Sequence, residues 1–141
     1  MEENELNKKK RITTIIVATA MFCMMAMSAL ADTKVVVFLP EDQVWTSSMS
    51  VPRSGAYSFV WASCDSVYPL TGSDNFSRIQ TRLVDSEEMR IMEDGYVVLK
   101  EGGGYEKLNI MDEYLDLDTV YIQFRGNTYL SAEAVVNYDG L

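Results

Sequence analysis

From residue 33 onward, hydrophobic and polar positions alternate in short runs that Gly, Pro, Asp and Asn interrupt roughly every ten residues. The run at Ile79–Val84 shows the pattern best, since Ile79, Thr81 and Leu83 share one face and the intervening polar residues share the other. A period of two is typical of strands with one buried face. The pattern therefore predicts an all-β domain, an antiparallel β-sandwich of immunoglobulin-like or jelly-roll-like type with eight or nine strands.

Three local patterns predict details of these strands. Residues 43–47 favour a short second strand, and Asp94-Gly95 indicates a hairpin between residues 89–92 and 96–99. Residues 56–64 form a long strand in which the even positions share a small apolar face. We expect Ala56, Val60, Ala62 and Cys64 to face the core, and Cys64 to be a buried thiol.

The last two strands, residues 119–125 and 129–138, are predicted to pair as an antiparallel hairpin through a three-residue loop at 126–128. This register brings two apolar faces together, whereas a two-residue turn places one apolar face against a polar one. The expected core side contains Ile122, Phe124, Leu130, Ala132 and Val136, and the expected outer side contains Tyr121, Gln123, Arg125, Ser131 and Glu133.

The first 31 residues have the pattern of a secretory signal peptide. A basic cluster at Lys8–Arg11 precedes an uncharged run over residues 12–30, and the run ends in Ala29-Leu30-Ala31. Signal peptidase recognises small residues at these last positions, so we expect a signal-peptide helix, cleavage after Ala31 and a secreted domain over residues 32–141. An uncleaved membrane anchor is the alternative, since 19 helical residues span roughly 28 Å.

The charge of the predicted mature domain limits its partners. The whole chain has 12 basic and 21 acidic residues, and cleavage removes four basic and three acidic ones, which leaves a formal net charge of −10. Such a surface repels phosphate backbones and anionic lipids, so nucleic acid is not expected as a partner. Membrane contact is expected only through the signal peptide, before cleavage. A cation or a basic protein suits this charge.

Catalytic and metal-binding patterns are sparse. Histidine is absent, which excludes catalytic triads with imidazole and histidine-bound zinc. No cofactor motif is present, since Gly102-Gly103-Gly104 lacks the lysine of a phosphate-binding loop. Asp112, Asp116 and Asp118 are calcium candidates by composition, although their spacing does not match an EF-hand. A solvated acidic loop is the favoured interpretation, because Asp and Glu at strand ends are mainly turn and solubility residues.

Aromatic residues mark the one candidate binding surface. Tyr57, Phe59 and Trp61 alternate along the strand that contains Cys64, so they lie on the face opposite the core. Exposed aromatic stripes bind sugars or proteins. Tyr121 and Tyr129, both outward in the predicted terminal hairpin, extend this surface in the same interpretation. A central strand that is covered on both faces is the more ordinary interpretation of the same pattern.

Three segments carry a family resemblance. They are Val67-Tyr68-Pro69 with Gly72–Phe76, Gln123–Asn127, and Ala134–Tyr138. With them the chain resembles small Sec-exported β proteins of unknown function from Gram-positive anaerobes. The resemblance implies export from such a bacterium and a β fold, and it implies no activity.

These features together predict a non-enzymatic secreted or cell-surface protein that binds a protein or a glycan. Two alternatives remain open at this point. One is an exported bacteriocin, toxin or inhibitor, which a neighbouring immunity or transporter gene would indicate. The other is a small glycan hydrolase that uses carboxylates, which requires a cleft with two carboxyl groups about 5–10 Å apart.

Overall fold

The computed structural model describes residues 33–70 and 76–140, which form two antiparallel sheets of four strands each. The all-β prediction is confirmed, and the described residues contain eight strands, within the predicted eight or nine. The predicted signal peptide and its cleavage site lie outside the described residues. No helical segment in the described ranges has the length and hydropathy that a membrane span requires. The elements are β1 (Thr33–Leu39), β2 (Met49–Pro52), β3 (Phe59–Pro69), β4 (Arg78–Val84), β5 (Val97–Lys100), β6 (Glu106–Asn109), the 3-10 turn Asp112–Tyr114, β7 (Thr119–Gly126) and β8 (Ala132–Asp139).

The first sheet has the strand order β1-β8-β3-β6, and the second has the order β2-β7-β4-β5. The inward residues of both sheets form one hydrophobic cluster, and the Phe124 ring of β7 lies 6.3 Å from the Tyr138 ring of β8. Burial of this apolar surface is the main stabilising contribution, because Cys64 is a free thiol and supplies no cross-link. Among the described residues the largest fully buried side chains include Phe76, Phe124, Leu39, Ile79, Leu83, Ile91, Met92 and Leu99.

The predicted terminal hairpin is wrong. β7 pairs with β2 and β4 in the second sheet, and β8 pairs with β1 and β3 in the first. The inward residues were predicted correctly at Ile122, Phe124, Ala132 and Val136, all fully buried, whereas Leu130 is 38% exposed in the connection. The apolar faces of β7 and β8 therefore meet across the core, between the two sheets, and not side by side within one sheet.

Contacts to other loops explain why the connection between β7 and β8 does not form a hairpin. The Asp42 amide donates to the Tyr129 carbonyl, and the Leu70 amide donates to the Ser131 carbonyl. A Cβ atom at Gly126 would lie 2.7 Å from the Phe76 ring, so glycine allows the chain to leave β7 over this ring. The connection is therefore held by partners distant in sequence, which turn propensity does not reveal.

Three smaller predictions are also corrected. Residues 89–92 form only isolated bridges, and β5 pairs with β4, so no hairpin forms at Asp94-Gly95. Residues 43–47 are a loop rather than a strand, and within them Thr46 bonds to the backbone of Phe124 in β7. Ala56 is exposed before β3 begins at Phe59, although Val60, Ala62 and Cys64 are buried as predicted.

Candidate partner-binding face

The outer face of the first sheet carries a continuous row of aromatic rings. Phe59 and Trp61 alternate with buried residues of β3, and Tyr57, two residues before β3, packs its ring against Phe59. The ring centroids of Tyr57 and Phe59 are 5.3 Å apart, and those of Phe59 and Trp61 are 5.0 Å apart. The rings meet at 43° and 76°, so they pack against one another without becoming coplanar.

The neighbouring strand β6 extends this row, a feature that the sequence alone did not indicate. The Tyr105 ring lies 6.5 Å from the Trp61 ring in an edge-to-face arrangement, and β6 places Lys107 opposite Trp61. The Lys107 ammonium lies 4.6 Å from the Phe59 ring centroid and 5.1 Å from that of Trp61. We call the four rings Tyr57, Phe59, Trp61 and Tyr105 the aromatic ladder. Tyr57 is 49% exposed and Tyr105 is 45% exposed, so the two ends of the ladder face solvent.

The other two tyrosines of the predicted surface do not join the ladder. Tyr121 is half-buried on β7 and pairs with Val84 and Ser50 in the second sheet. Tyr129 is 72% exposed, but it lies in the connection between the sheets. Their predicted proximity to Trp61 depended on the terminal hairpin, which does not form.

A polar strip lies beside the ladder where β3 has a bulge between Cys64 and Ser66. The bulge turns Asp65 outward, where its carboxylate accepts from Lys34 Nζ at 2.7 Å and from Asn137 Nδ2 at 2.8 Å. The hydrogen bond from Lys34, followed by that from Asn137, lowers the pKa of Asp65 below its ordinary value. This pair is exposed, so it orients β1 and β3 more than it stabilises them.

Arg53 anchors the start of the ladder from within the protein. Its Nη2 donates to the Tyr57 carbonyl at 2.6 Å, and its Nη1 donates to the carbonyls of Leu115 and Leu117 at 3.1 and 3.0 Å. The side chain is only 9% exposed, and its Nε has no hydrogen-bond partner within the described chain. One guanidinium thus connects the end of β2, the ladder and the segment before β7.

Cys64 is buried, as predicted, with 1% of its surface exposed. Its Sγ donates to the Ser66 carbonyl at 3.6 Å. The pKa of the Cys64 thiol is raised from 9.0 to about 11, chiefly by burial and then by the nearby carboxylates of Glu101 and Asp65. The thiolate is the reactive form, so this arrangement describes a packed thiol rather than a nucleophile.

This pKa predicts how stability changes at alkaline pH. Because the folded pKa is raised, the contribution of Cys64 is complete below pH 9 and is lost as pH rises through about 11. We expect the free energy of unfolding of the wild type, measured in urea, to fall between pH 8.5 and pH 10.5. It should fall less in Cys64→Ala, which carries no thiol at this position. Equal pH dependence of the two proteins would contradict this account of the site. In the folded protein, a thiol reagent should react with Cys64 only after denaturant is added.

The acidic residues proposed as calcium ligands are dispersed along one loop. Asp112 begins the 3-10 turn, and Asp118 directly precedes β7. The Asp118 backbone carbonyl accepts a hydrogen bond from the Arg53 amide. Asp112, Asp116 and Asp118 are all exposed. Within residues 33–70 and 76–140, no group of three or more Asp, Glu or Cys side chains has an arrangement that can hold a metal ion.

A comparison of the chain with protein-family models, with curated proteins and with solved structures finds no match.

Proposed function

We propose that this protein is a non-enzymatic, exported binding protein whose aromatic ladder engages a basic protein partner. The observation that carries the proposal is the ladder itself, a row of four packed rings on the outer face of a sheet. Tyrosine and tryptophan are enriched among the residues that dominate binding energy at protein interfaces. Rings that already pack against one another lose little side-chain entropy when a partner covers them.

We infer further that the fold is a β-sandwich of the jelly-roll type. Support comes from the pairing of β1 with β8, β2 with β7, β3 with β6, and β4 with β5, in which each pair of strand numbers adds up to nine. One long antiparallel ribbon, folded over upon itself into two sheets, produces this series. Jelly rolls serve many unrelated functions, so the fold supports the architecture and does not select the ligand.

The geometry of the ladder favours a protein over a glycan. A sugar ring stacks on an aromatic face that lies flat against the surface, whereas Phe59, Trp61 and Tyr105 meet edge to face at 76° and 78°. The Lys107 ammonium also lies over two of these rings and competes for their faces. Side chains of a protein partner adapt to mixed ring edges and faces more readily than a rigid sugar does.

The charge of the predicted mature domain favours a basic partner. With a net charge of −10, residues 32–141 attract a positively charged surface and accelerate its association. Export is proposed from the signal-peptide pattern of residues 1–31. The non-enzymatic assignment is supported by the absence of histidine and by a groove beside β1 whose lining contains no carboxylate.

Peptide selection tests the proposal directly. We would select binders from a random-peptide library on the immobilised protein and measure their dissociation constants for variants of the ladder. We expect enriched peptides to be rich in Lys and Arg, and Trp61→Ala to weaken their binding at least tenfold. Tyr129→Ala is the control, because it removes an exposed aromatic side chain that lies outside the ladder.

Thermal unfolding separates a loss of binding from a loss of folding. Trp61 is half-buried on a solvent-facing surface, so Trp61→Ala should remain folded at the temperature of the binding measurement. Equal affinity of the selected peptides for wild type and Trp61→Ala would overturn the proposal. Selection of neutral oligosaccharides from a glycan array, with loss of binding in Trp61→Ala, would replace the protein partner by a glycan.

A further inference from the structure

The outer face of the second sheet carries an unusual group of cations around one tryptophan. The guanidinium carbon of Arg82 on β4 lies 4.4 Å from the Trp45 ring centroid, and that of Arg125 on β7 lies 4.3 Å from it. Arg125 also lies 5.3 Å from the Tyr96 ring centroid. The loop that carries Trp45 is fixed against β7, because Thr46 exchanges hydrogen bonds with the backbone of Phe124.

Neutral amides orient both arginines. Arg82 Nε donates to Gln123 Oε1 at 2.8 Å, and Arg125 Nε donates to Gln80 Oε1. These acceptors fix the planes of the guanidinium groups and add no compensating charge. Within the described chain, the Nη atoms of Arg82 and Arg125 have no hydrogen-bond partner and neither residue forms an ion pair. Four terminal nitrogens are therefore available to an acceptor.

Local charge at this position is opposite to that of the whole molecule. Burial lowers the pKa of Arg82, and the positive charges of Arg125 and Arg90 lower it further, against the carboxylate of Glu88. Glu88 accepts from Ser48 Oγ at 2.9 Å and from Gln123 Nε2 at 3.4 Å. Two further guanidinium groups and one carboxylate thus act on Arg82, in a chain where acidic residues are in excess. An oxyanion held by two planar forks relieves this repulsion.

The same tryptophan borders an apolar groove. Trp45 lines a groove of about 430 Å³ together with Val36, Phe38, Pro40 and Met49, between the edge of the first sheet and the loop before β2. This volume lies within the range of small-molecule sites. Val36 is 67% exposed and Phe38 is 56% exposed, so the groove presents unpartnered apolar surface.

We propose that Arg82 and Arg125 bind the carboxylate of a small monovalent organic acid, whose apolar body lies against Trp45 in the groove. The guanidinium groups supply charge complementarity for the head, and the groove supplies apolar surface for the body. A single charge is specified because the net charge of −10 in residues 32–141 repels polyanions at longer range. The two arginines lie on β4 and β7 of the second sheet, and the groove reaches only β1 of the first sheet, so the site is separate from the aromatic ladder on β3 and beside β6.

Calorimetric titration with three matched probes tests this site. Octanoate carries both head and body, acetate carries the head alone, and 1-octanol carries the body alone. We expect octanoate to bind at least tenfold more tightly than either of the others. Arg125→Gln and Arg82→Gln should each weaken octanoate at least fivefold. Arg78→Gln should leave it unchanged, because Arg78 lies on the same strand and outward face as Arg82 but away from Trp45.

Each other outcome overturns the proposal. Equal affinity for octanoate and acetate would indicate an adventitious ion only. Equal affinity for octanoate and 1-octanol would indicate an apolar groove without an anion site. Nitrogen-15 NMR spectra of the arginine side chains are recorded on the wild type, so this measurement does not depend on whether a variant folds. Octanoate should shift the signals of Arg82 and Arg125 and not that of Arg78, and unmoved Arg82 and Arg125 signals would refute the site.

Discussion

Replacing Phe124 by alanine is expected to lower the free energy of unfolding by about 3–5 kcal/mol, the usual range for emptying a core aromatic site. Phe124 is fully buried on β7, where it contacts Tyr138 of the opposite sheet. The substitution therefore leaves a cavity between the two sheets rather than at an edge. Urea unfolding of the purified variant measures the loss directly.

Two control substitutions, one on β8 and one beside Phe124 on β7, allow this loss to be interpreted. Glu133→Ala changes an exposed strand position and should cost under about 0.5 kcal/mol. Gln123→Ala should cost about 1–3 kcal/mol, because Gln123 is 2% exposed and its amide bonds to Arg82, Ser48 and Glu88. A loss under 1 kcal/mol for Phe124→Ala would contradict the placement of β7 over the core.

Replacing Arg53 by methionine is expected to cost about 3 kcal/mol. Methionine keeps much of the apolar stem but removes every donor to the carbonyls of Tyr57, Leu115 and Leu117. A hydrogen bond from a charged donor contributes about 1.5–3 kcal/mol, and the three bonds share one side chain, so their losses are not additive. Denaturant unfolding measures this change as well.

Arg53→Lys is the matched control for this experiment. Lysine keeps the charge but cannot present a planar fork to carbonyls on two segments, so it should recover only part of the lost stability. Full stability in Arg53→Met would show that Arg53 does not connect these segments. Because Tyr57 begins the aromatic ladder, Arg53→Met should also weaken peptide binding there.

Alternation along the chain predicted which residues face the core, but not which sheet each strand joins. Ile122 and Phe124 on β7, and Ala132 and Val136 on β8, are buried as the period of two indicated. An apolar face is satisfied equally by a partner beside it in one sheet and by a partner across the core. Parity therefore specifies the face of a strand and leaves its neighbour undetermined.

Gln123 shows a second limit of the pattern. It lies on the outer face of β7, as predicted, yet it is buried because Ser48 and Arg82 cover it. Outer faces are covered by loops and long side chains that come from distant parts of the sequence. The group around Trp45 was not foreseen for the same reason, since its arginines lie 37 and 80 positions away along the chain.

The aromatic ladder was predicted in part. Tyr57, Phe59 and Trp61 lie within five residues of one another, so local periodicity was enough to place them on one face. Tyr105 and Lys107 join them only through the pairing of β3 with β6. No local sequence pattern predicts that pairing. Arg53 was missed because a single arginine between turn residues has no pattern that distinguishes a buried anchor from a surface charge.

Mapping amide chemical shifts during titration with a selected basic peptide tests the ladder most directly. The account predicts that the perturbed amides cluster in β3 and β6, around Trp61 and Lys107, and that those of β4 and β5 stay unchanged. Perturbations centred on β4 and β5, with β3 and β6 unmoved, would contradict the assignment of the aromatic ladder as the partner-binding face.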